Sequence, residues 1–379
     1  MSRPGAREEG REPTSEEQEP PVFEQGVNTA SDKGADIVDA LAVEDIDVNL
    51  YRSKTLWTPA RARGVFGGQV IAQAVAAAGK TVREGIHLHS LHCYFLLAGD
   101  QSVPILYQVA RVRDGGSYVT RSVDATQRGR TIFTIILSYQ KPEPSQPSFH
   151  IPVPTLDEDG TNMTNSHTGA YATGLEKHIK DNGFSSLPPP EKCPLNEERY
   201  MEVVARPDVD PRIKKVLQGW IEDRQKSPVE IRDALPGMYD RHGHATPGNS
   251  QAFWMRTRKP MAGGIEAQKV ALAYASDFYL LSTVAKALNN SRNIKMMASL
   301  DHSMWFYDTF DVSEWLLFVM QTQAASNGRG VVMGRIYRRD GTLVAVCAQE
   351  GLVRGKSADE IQKEVEKRRG QGKTTASKL

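Results

Sequence analysis

At 379 residues the chain is long enough for two domains with sizeable cores. Its 47 Lys and Arg nearly balance 46 Asp and Glu, so no global field steers it to nucleic acid or a membrane surface. Any anionic substrate must then be met by a local charge. The longest apolar runs, such as Thr131–Leu137 and Val270–Ala275, fall short of the roughly 20 residues of a bilayer span. No charged and then apolar opening suggests a secretory leader. Cys93, Cys193 and Cys347 are scattered without disulfide or metal-ligand spacing. These features predict a soluble protein of a reducing, intracellular compartment.

Residues 1–36 are rich in Glu, Arg, Pro, Ser and Gly and poor in large apolar side chains, which predicts disorder. The next stretch, 37–145, reads as one folded unit. Phe66-Gly67-Gly68-Gln69 opens an Ala-rich helix from Val70 to about Lys80. Strands follow at Ser90–Phe95, Ile105–Arg113, Tyr118–Gln127 and Thr131–Tyr139. A connection, 146–227, is Pro-rich and acidic in its first half. Near 211–225, Asp210-Pro211 supplies an N-cap and first turn, and Ile213, Val216, Leu217, Trp220 and Ile221 share one helical face. This helix is expected to cover the body or dock a partner.

Residues 228–357 repeat the pattern. A long apolar helix spans Ala267 to about Leu288, and strands follow at Ser299–Phe306, Trp315–Thr322, Val331–Arg338 and Leu343–Ala348. Ser90 to Gln140 and Ser299 to Gln349 cover the same distance. A helix followed by several long strands, twice, predicts two antiparallel sheets each wrapped round its own helix. The last segment, 358–379, ends on Ser377-Lys378-Leu379, a receptor-read peroxisomal address at a free carboxy-terminus.

Familiar catalytic signatures are missing. There is no Gly-x-Ser-x-Gly elbow. Gly328-Arg329-Gly330-Val331-Val332-Met333-Gly334 misses the dinucleotide spacing and enters a strand. His87, His89 and His92 lack clustered carboxylates or thiols and read as hydrogen-bonded strand residues, so no metal is implied. Asp277 is the anomaly, a carboxylate within the apolar run Val270–Leu281. It is either a structural cap or kink, or a base whose affinity for protons rises in a dehydrated cleft. Ser299 and Gln349, at strand ends, can hold a water or carbonyl oxygen without titrating, or can be inert.

Phe66-Gly67-Gly68-Gln69, Tyr274-Ala275-Ser276-Asp277, Asp301-His302-Ser303-Met304-Trp305-Phe306 and Gln349-Glu350-Gly351 resemble the acyl-CoA thioesterase II family. The likeness runs through about Leu50–Pro142 and Pro228–Arg354. It implies an α+β double hotdog: two fused hotdog domains, each an antiparallel sheet around a central helix. It implies a water-activating carboxylate at Asp277, with Ser299 and Gln349 as its companions, and no cofactor. Asp301 is then a neighbour rather than the base. Gly67, Gly68 and Gln69 are expected on the substrate side, where a backbone N–H at the helix start can meet the thioester oxygen. The implied substrate is a fatty acyl-CoA, in peroxisomal fatty acid metabolism. Ser377-Lys378-Leu379, not the resemblance, makes the peroxisomal import receptor an expected partner, and a homo-oligomer follows by family analogy.

Two alternatives stay open. Hotdog hydratases and dehydratases resemble an Asp-x4-His pairing, and none of the nine histidines here has an Asp five residues before it. A non-catalytic acyl-CoA-binding module fits if Asp277, Ser299 and Gln349 do not converge.

Overall fold

A computed structural model describes residues 36–156, 163–164, 187–235, 246–289, 294–357 and 360. The predicted disorder of 1–36 therefore lies almost wholly outside the described residues, as do Ser377-Lys378-Leu379 and most of the acidic half of the connection.

The chain runs α1 (Ile37–Leu41), β1 (Val43–Asp47), β2 (Leu50–Ser53), α2 (Gly67–Gly79), β3 (His87–Phe95), β4 (Leu106–Asp114), β5 (Tyr118–Gln127) and β6 (Arg130–Gln140). A small ribbon, β7 (Thr155–Leu156) and β8 (Met163–Thr164), precedes helices α3 (Asn196–Ala205) and α4 (Pro211–Lys226). Then come β9 (Val229–Asp233), β10 (Ser250–Thr257), α5 (Ile265–Ser276), α6 (Leu280–Ala287), β11 (Ile294–Ser299), β12 (Asp301–Phe306), β13 (Leu316–Ser326), β14 (Arg329–Tyr337) and β15 (Leu343–Gly355). No described helix is long and apolar enough to cross a membrane.

One antiparallel sheet carries the order β1-β2-β4-β5-β6-β3-β12-β15-β14-β13-β10-β9, with β11 on β15. Read from its middle the order is the same in both directions. The seam is β3 against β12, where Cys93 pairs with His302. The Cys93 thiol also donates to the His302 carbonyl across 209 residues. That is the offset relating Ser90 to Ser299 and Gln140 to Gln349. The two halves thus pair about a pseudo-twofold axis through the seam, giving the double hotdog.

Alternation makes each sheet two-faced. In β5, Val119, Arg121, Val123, Ala125 and Gln127 point inward and are buried, while Tyr118 and Asp124 face out. The inner face needs an apolar helix, and α2 provides one: its Ala-rich sequence forms helix readily and is buried on nearly every side. Its outer side is covered by α5, against which it packs. In the second half α6 takes the place of α2, against β13, β14 and β15. A Cβ on Gly330 would overlap Val284 of α6, so the glycines of β14 serve packing rather than phosphate binding.

The long helix expected from Ala267 to Leu288 is broken. α5 stops at Ser276, and α6 starts at Leu280. Between them Tyr279 adopts φ 66°, ψ −6°, a left-handed conformation that costs a bulky side chain about 1–3 kcal/mol. Asp277 offers a cap or kink in this apolar run, and it does cap α5. The left-handed turn that follows has its partners elsewhere in the chain: Asn196 for the Tyr279 hydroxyl and Phe253 for its ring. Four strands, β1, β2, β9 and β10, and helix α3 had no clear sequence signal. The helix α4 forms as expected: Asp210 accepts from the Arg212 N–H at 2.7 Å, Pro211 opens the helix, and Leu217 is buried.

Candidate active site

The break at Asp277 brings its side chain against the other half of the molecule. Position 277 closes α5, and its carboxylate faces the N-terminus of α2. Gly68 N–H donates to Asp277 Oδ2 at 2.9 Å. These residues are also 209 apart, so Gly68 occupies the position in the first half that Asp277 holds in the second. One half keeps the carboxylate; the other supplies an amide that binds it. The choice of glycine is steric. A Cβ at position 68 would collide with the Tyr274 carbonyl oxygen, and one at position 67 would lie 2.7 Å from Asp277 Oδ2.

The other Asp277 oxygen is held from the sheet. Gln349 Nε2, on β15, donates to Asp277 Oδ1 at 2.8 Å and to Ser299 Oγ at 2.8 Å. Ser299 ends β11, which pairs with β15 through Ser299 and Gly351. Gln349 is buried at 1% exposure, whereas Asp277 and Ser299 retain partial access to solvent. Gln349 Oε1 has no hydrogen-bond partner among the described residues. A buried carbonyl oxygen in that state is an acceptor available to a water or a substrate N–H.

Protein surrounds the Asp277 carboxyl closely, and the loss of water around it pushes its pKa up to about 6. The Gln349 and Gly68 hydrogen bonds pull in the opposite direction without offsetting that loss. Near neutral pH the group is an ionised carboxylate whose affinity for a proton is well above that of an exposed Asp. Its two partners, the Gly68 N–H and Gln349 Nε2, both donate to it, and Gln349 also donates to the neighbouring Ser299 hydroxyl. The cluster can therefore fix a water and take its proton.

Aromatic rings wall this corner. Phe66 stacks on Phe278 with centroids 4.6 Å apart, and meets Trp57 and Tyr274 edge-on. Gln69 sits elsewhere than expected. Its Oε1 accepts from Trp57 N–H at 2.8 Å, and its Nε2 donates to the Ala40 and Thr55 carbonyls. With the amide so engaged and the residue 2% exposed, Gln69 ties down the Trp57 segment. Gly67 and Gly68 do lie at the carboxylate, but the Gly68 amide is already bound to Asp277 and is not an open oxyanion donor. Asp301 stands apart, accepting from Glu350 N–H at 2.7 Å. His87, His89 and His92 bond to Glu266, Ser138 and Ser303 respectively.

Family profiles match both halves. Residues 55–140 match the acyl-CoA thioesterase N-terminal domain and residues 194–353 the acyl-CoA thioesterase C-terminal domain. Acyl-coenzyme A thioesterase 8 of Mus musculus is 35% identical over 323 residues, 84% of this chain and 88% of that one. The chain belongs to the acyl-CoA thioesterase II family. Acyl-CoA thioesterase 2 of Haemophilus influenzae is 30% identical over 84% of this chain and 96% of its own. The crystal structure of acyl-CoA thioesterase II from Mycobacterium marinum superposes with a TM-score of 0.58 at 30% identity, covering 85% of this chain and 99% of that one. The protein is thus an acyl-CoA thioesterase, a thioester hydrolase on the double-hotdog fold. What this family assignment leaves to the geometry is which side chains of the thioesterase do the chemistry.

Proposed function

We propose that this thioesterase hydrolyses fatty acyl-CoA with Asp277 as general base, and that Ser299 and Gln349 hold the attacking water. The observation that carries this reading is that Gln349 of β15 bonds both to the dehydrated Asp277 carboxylate at the end of α5 and to Ser299 of β11, which gathers the three side chains at one place. Asp277 accepts a proton as the water oxygen adds to the thioester carbonyl carbon. The tetrahedral intermediate collapses, the C–S bond breaks, and the coenzyme A thiolate takes the proton back from Asp277. A thiolate is a good leaving group, so the site's lack of a strong acid is consistent with the reaction. The Gly67 N–H, at the positive end of α2 and beside Asp277, suits the developing oxyanion.

Free-thiol release from palmitoyl-CoA, read with a thiol-reactive dye, tests the assignment. Asp277→Ala abolishes release while the protein still melts cooperatively; wild-type turnover in that variant refutes the base. The same assay separates hydrolysis from hydration, which releases no thiol, and from binding alone.

The setting proposed is the peroxisomal matrix, in fatty acid metabolism, with Ser377-Lys378-Leu379 read by the import receptor. Removing those three residues leaves a tagged protein diffuse in the cytosol, and continued import refutes the address. The palindromic strand order supports dividing the chain into hotdog units at 37–145 and 228–357. Pairing of thioesterases into homo-oligomers is tested by sedimentation.

A further inference from the structure

The connection between the two halves reaches the site through Tyr279. Its left-handed backbone, two residues past Asp277, is strained for a side chain of that size and persists only where its surroundings over-determine it. Three sets of contacts do so. The Tyr279 carbonyl accepts from Ser282 Oγ at 2.7 Å and from Thr283 Oγ1 at 3.1 Å, which starts α6. Its ring stacks on Phe253 of β10, centroids 4.6 Å apart. Its hydroxyl donates to Asn196 Oδ1, at the first residue of α3.

Asn196 is itself fixed. It is fully buried, and its Nδ2 donates to Asp233 Oδ1 at 2.5 Å. Asp233, buried at the end of β9, is held by Arg199 Nε at 3.0 Å, one turn further along α3. On the other side of the break, Ser276 Oγ lies 3.0 Å from His302 Nε2 on β12. Asp277 therefore sits between two clamped residues. Its direction is decided by the pair of them, not by the helix it ends.

We infer that Tyr279 and Asn196 are positioning residues for the thioesterase reaction, and that α3 of the connection holds the Asp277 carboxylate in reach of Gln349 and Gly68. This rests on the reading of Asp277 as the base. In a freely turning chain the carboxylate would leave the bonds that Gln349 and Gly68 make to it while staying enclosed behind the Phe66, Tyr274 and Phe278 rings. Those bonds favour the ionised form, so their loss raises the pKa at which the base becomes active.

Tyr279→Phe keeps the ring stacking and removes only the hydroxyl. In the thiol-release assay we expect kcat to fall at least tenfold with KM within twofold. The acidic limb of the kcat/KM profile should move at least half a pH unit upward. Asn196→Ala removes the acceptor instead of the donor and should produce the same pair of changes. A wild-type kcat in both variants overturns the inference. So does a fall in kcat with the limb unmoved, because a merely less stable enzyme loses active molecules without altering the pKa of those that remain. Asp277→Asn is run alongside: if it stays active, the base assignment has failed; if it is inactive while Tyr279→Phe matches wild type, only the positioning role has.

Discussion

The Asp277 carboxylate, which we propose as the base, is a burden on the fold, and Asp277→Asn exposes the conflict. Burial raises Asp277 from 3.8 to about 6, about two pH units. At about 1.4 kcal/mol per unit, holding the charge costs the native state about 3 kcal/mol above pH 6. Partial access to solvent reduces this to about 1.5–3 kcal/mol. The sign follows from linkage. The native state binds this proton more tightly than the unfolded chain does, so the cost is absent below about pH 4, grows through pH 6, and is complete above it. An Asn at 277 can accept from Gly68 with its oxygen. Gln349 can turn its amide over so that Oε1, otherwise unpartnered, accepts from the new NH2 group. Asp277→Asn should thus be inactive yet more stable. With about 2 cal/mol/K of unfolding entropy per residue over roughly 300 folded residues, the gain in Tm at pH 8 is about 2–5 °C. Differential scanning fluorimetry at pH 8 and pH 4.5 measures it. A Tm no higher than wild type at pH 8, or a gain equally large at pH 4.5, refutes the account of Asp277 as a dehydrated, ionised group.

Further outcomes follow from the same contacts. Wild-type kcat/KM should rise with pH through about 6, since Asp277 must be ionised to accept a proton, and a flat profile from pH 5 to 8 contradicts its role. Gln349→Glu puts a second carboxylate where a donor lies 2.8 Å from Asp277, so the acidic limb should shift to higher pH, with activity at pH 6 falling more than at pH 8. Gly68→Ala drives a Cβ into the Tyr274 carbonyl between α2 and α5, and should lower Tm by at least 5 °C in the same melt. Gly67→Ala presses on the Asp277 carboxylate and Phe95, and should cut kcat tenfold or more with a much smaller change in Tm.

The sequence by itself carried the repeat. Strand alternation and helix periodicity are local, and two copies at one spacing imply two similar units, so Ser90 to Gln140 and Ser299 to Gln349 announced two helix-and-sheet halves. The two expected sheets are in fact one, joined where β3 pairs with β12. Asp277 was legible as an anomaly because a charge in an apolar run needs a partner, and the family resemblance pointed to Ser299 and Gln349. Tertiary structure decided the rest. Tyr279, just past the break at Asp277, is held by Asn196, 83 residues earlier, a partner no local window contains. Gln69 lies next to the site in sequence, but its amide turns to Ala40, Thr55 and Trp57, since buried hydrogen bonds are satisfied by whatever the fold brings near. The contact that completes the site, Gly68 N–H on Asp277, joins pseudo-equivalent positions of the two halves. It exists only because the α2 backbone can approach α5 where no Cβ intervenes. Sequence named the carboxylate; the packing of one half against the other gave it a direction and a raised affinity for protons.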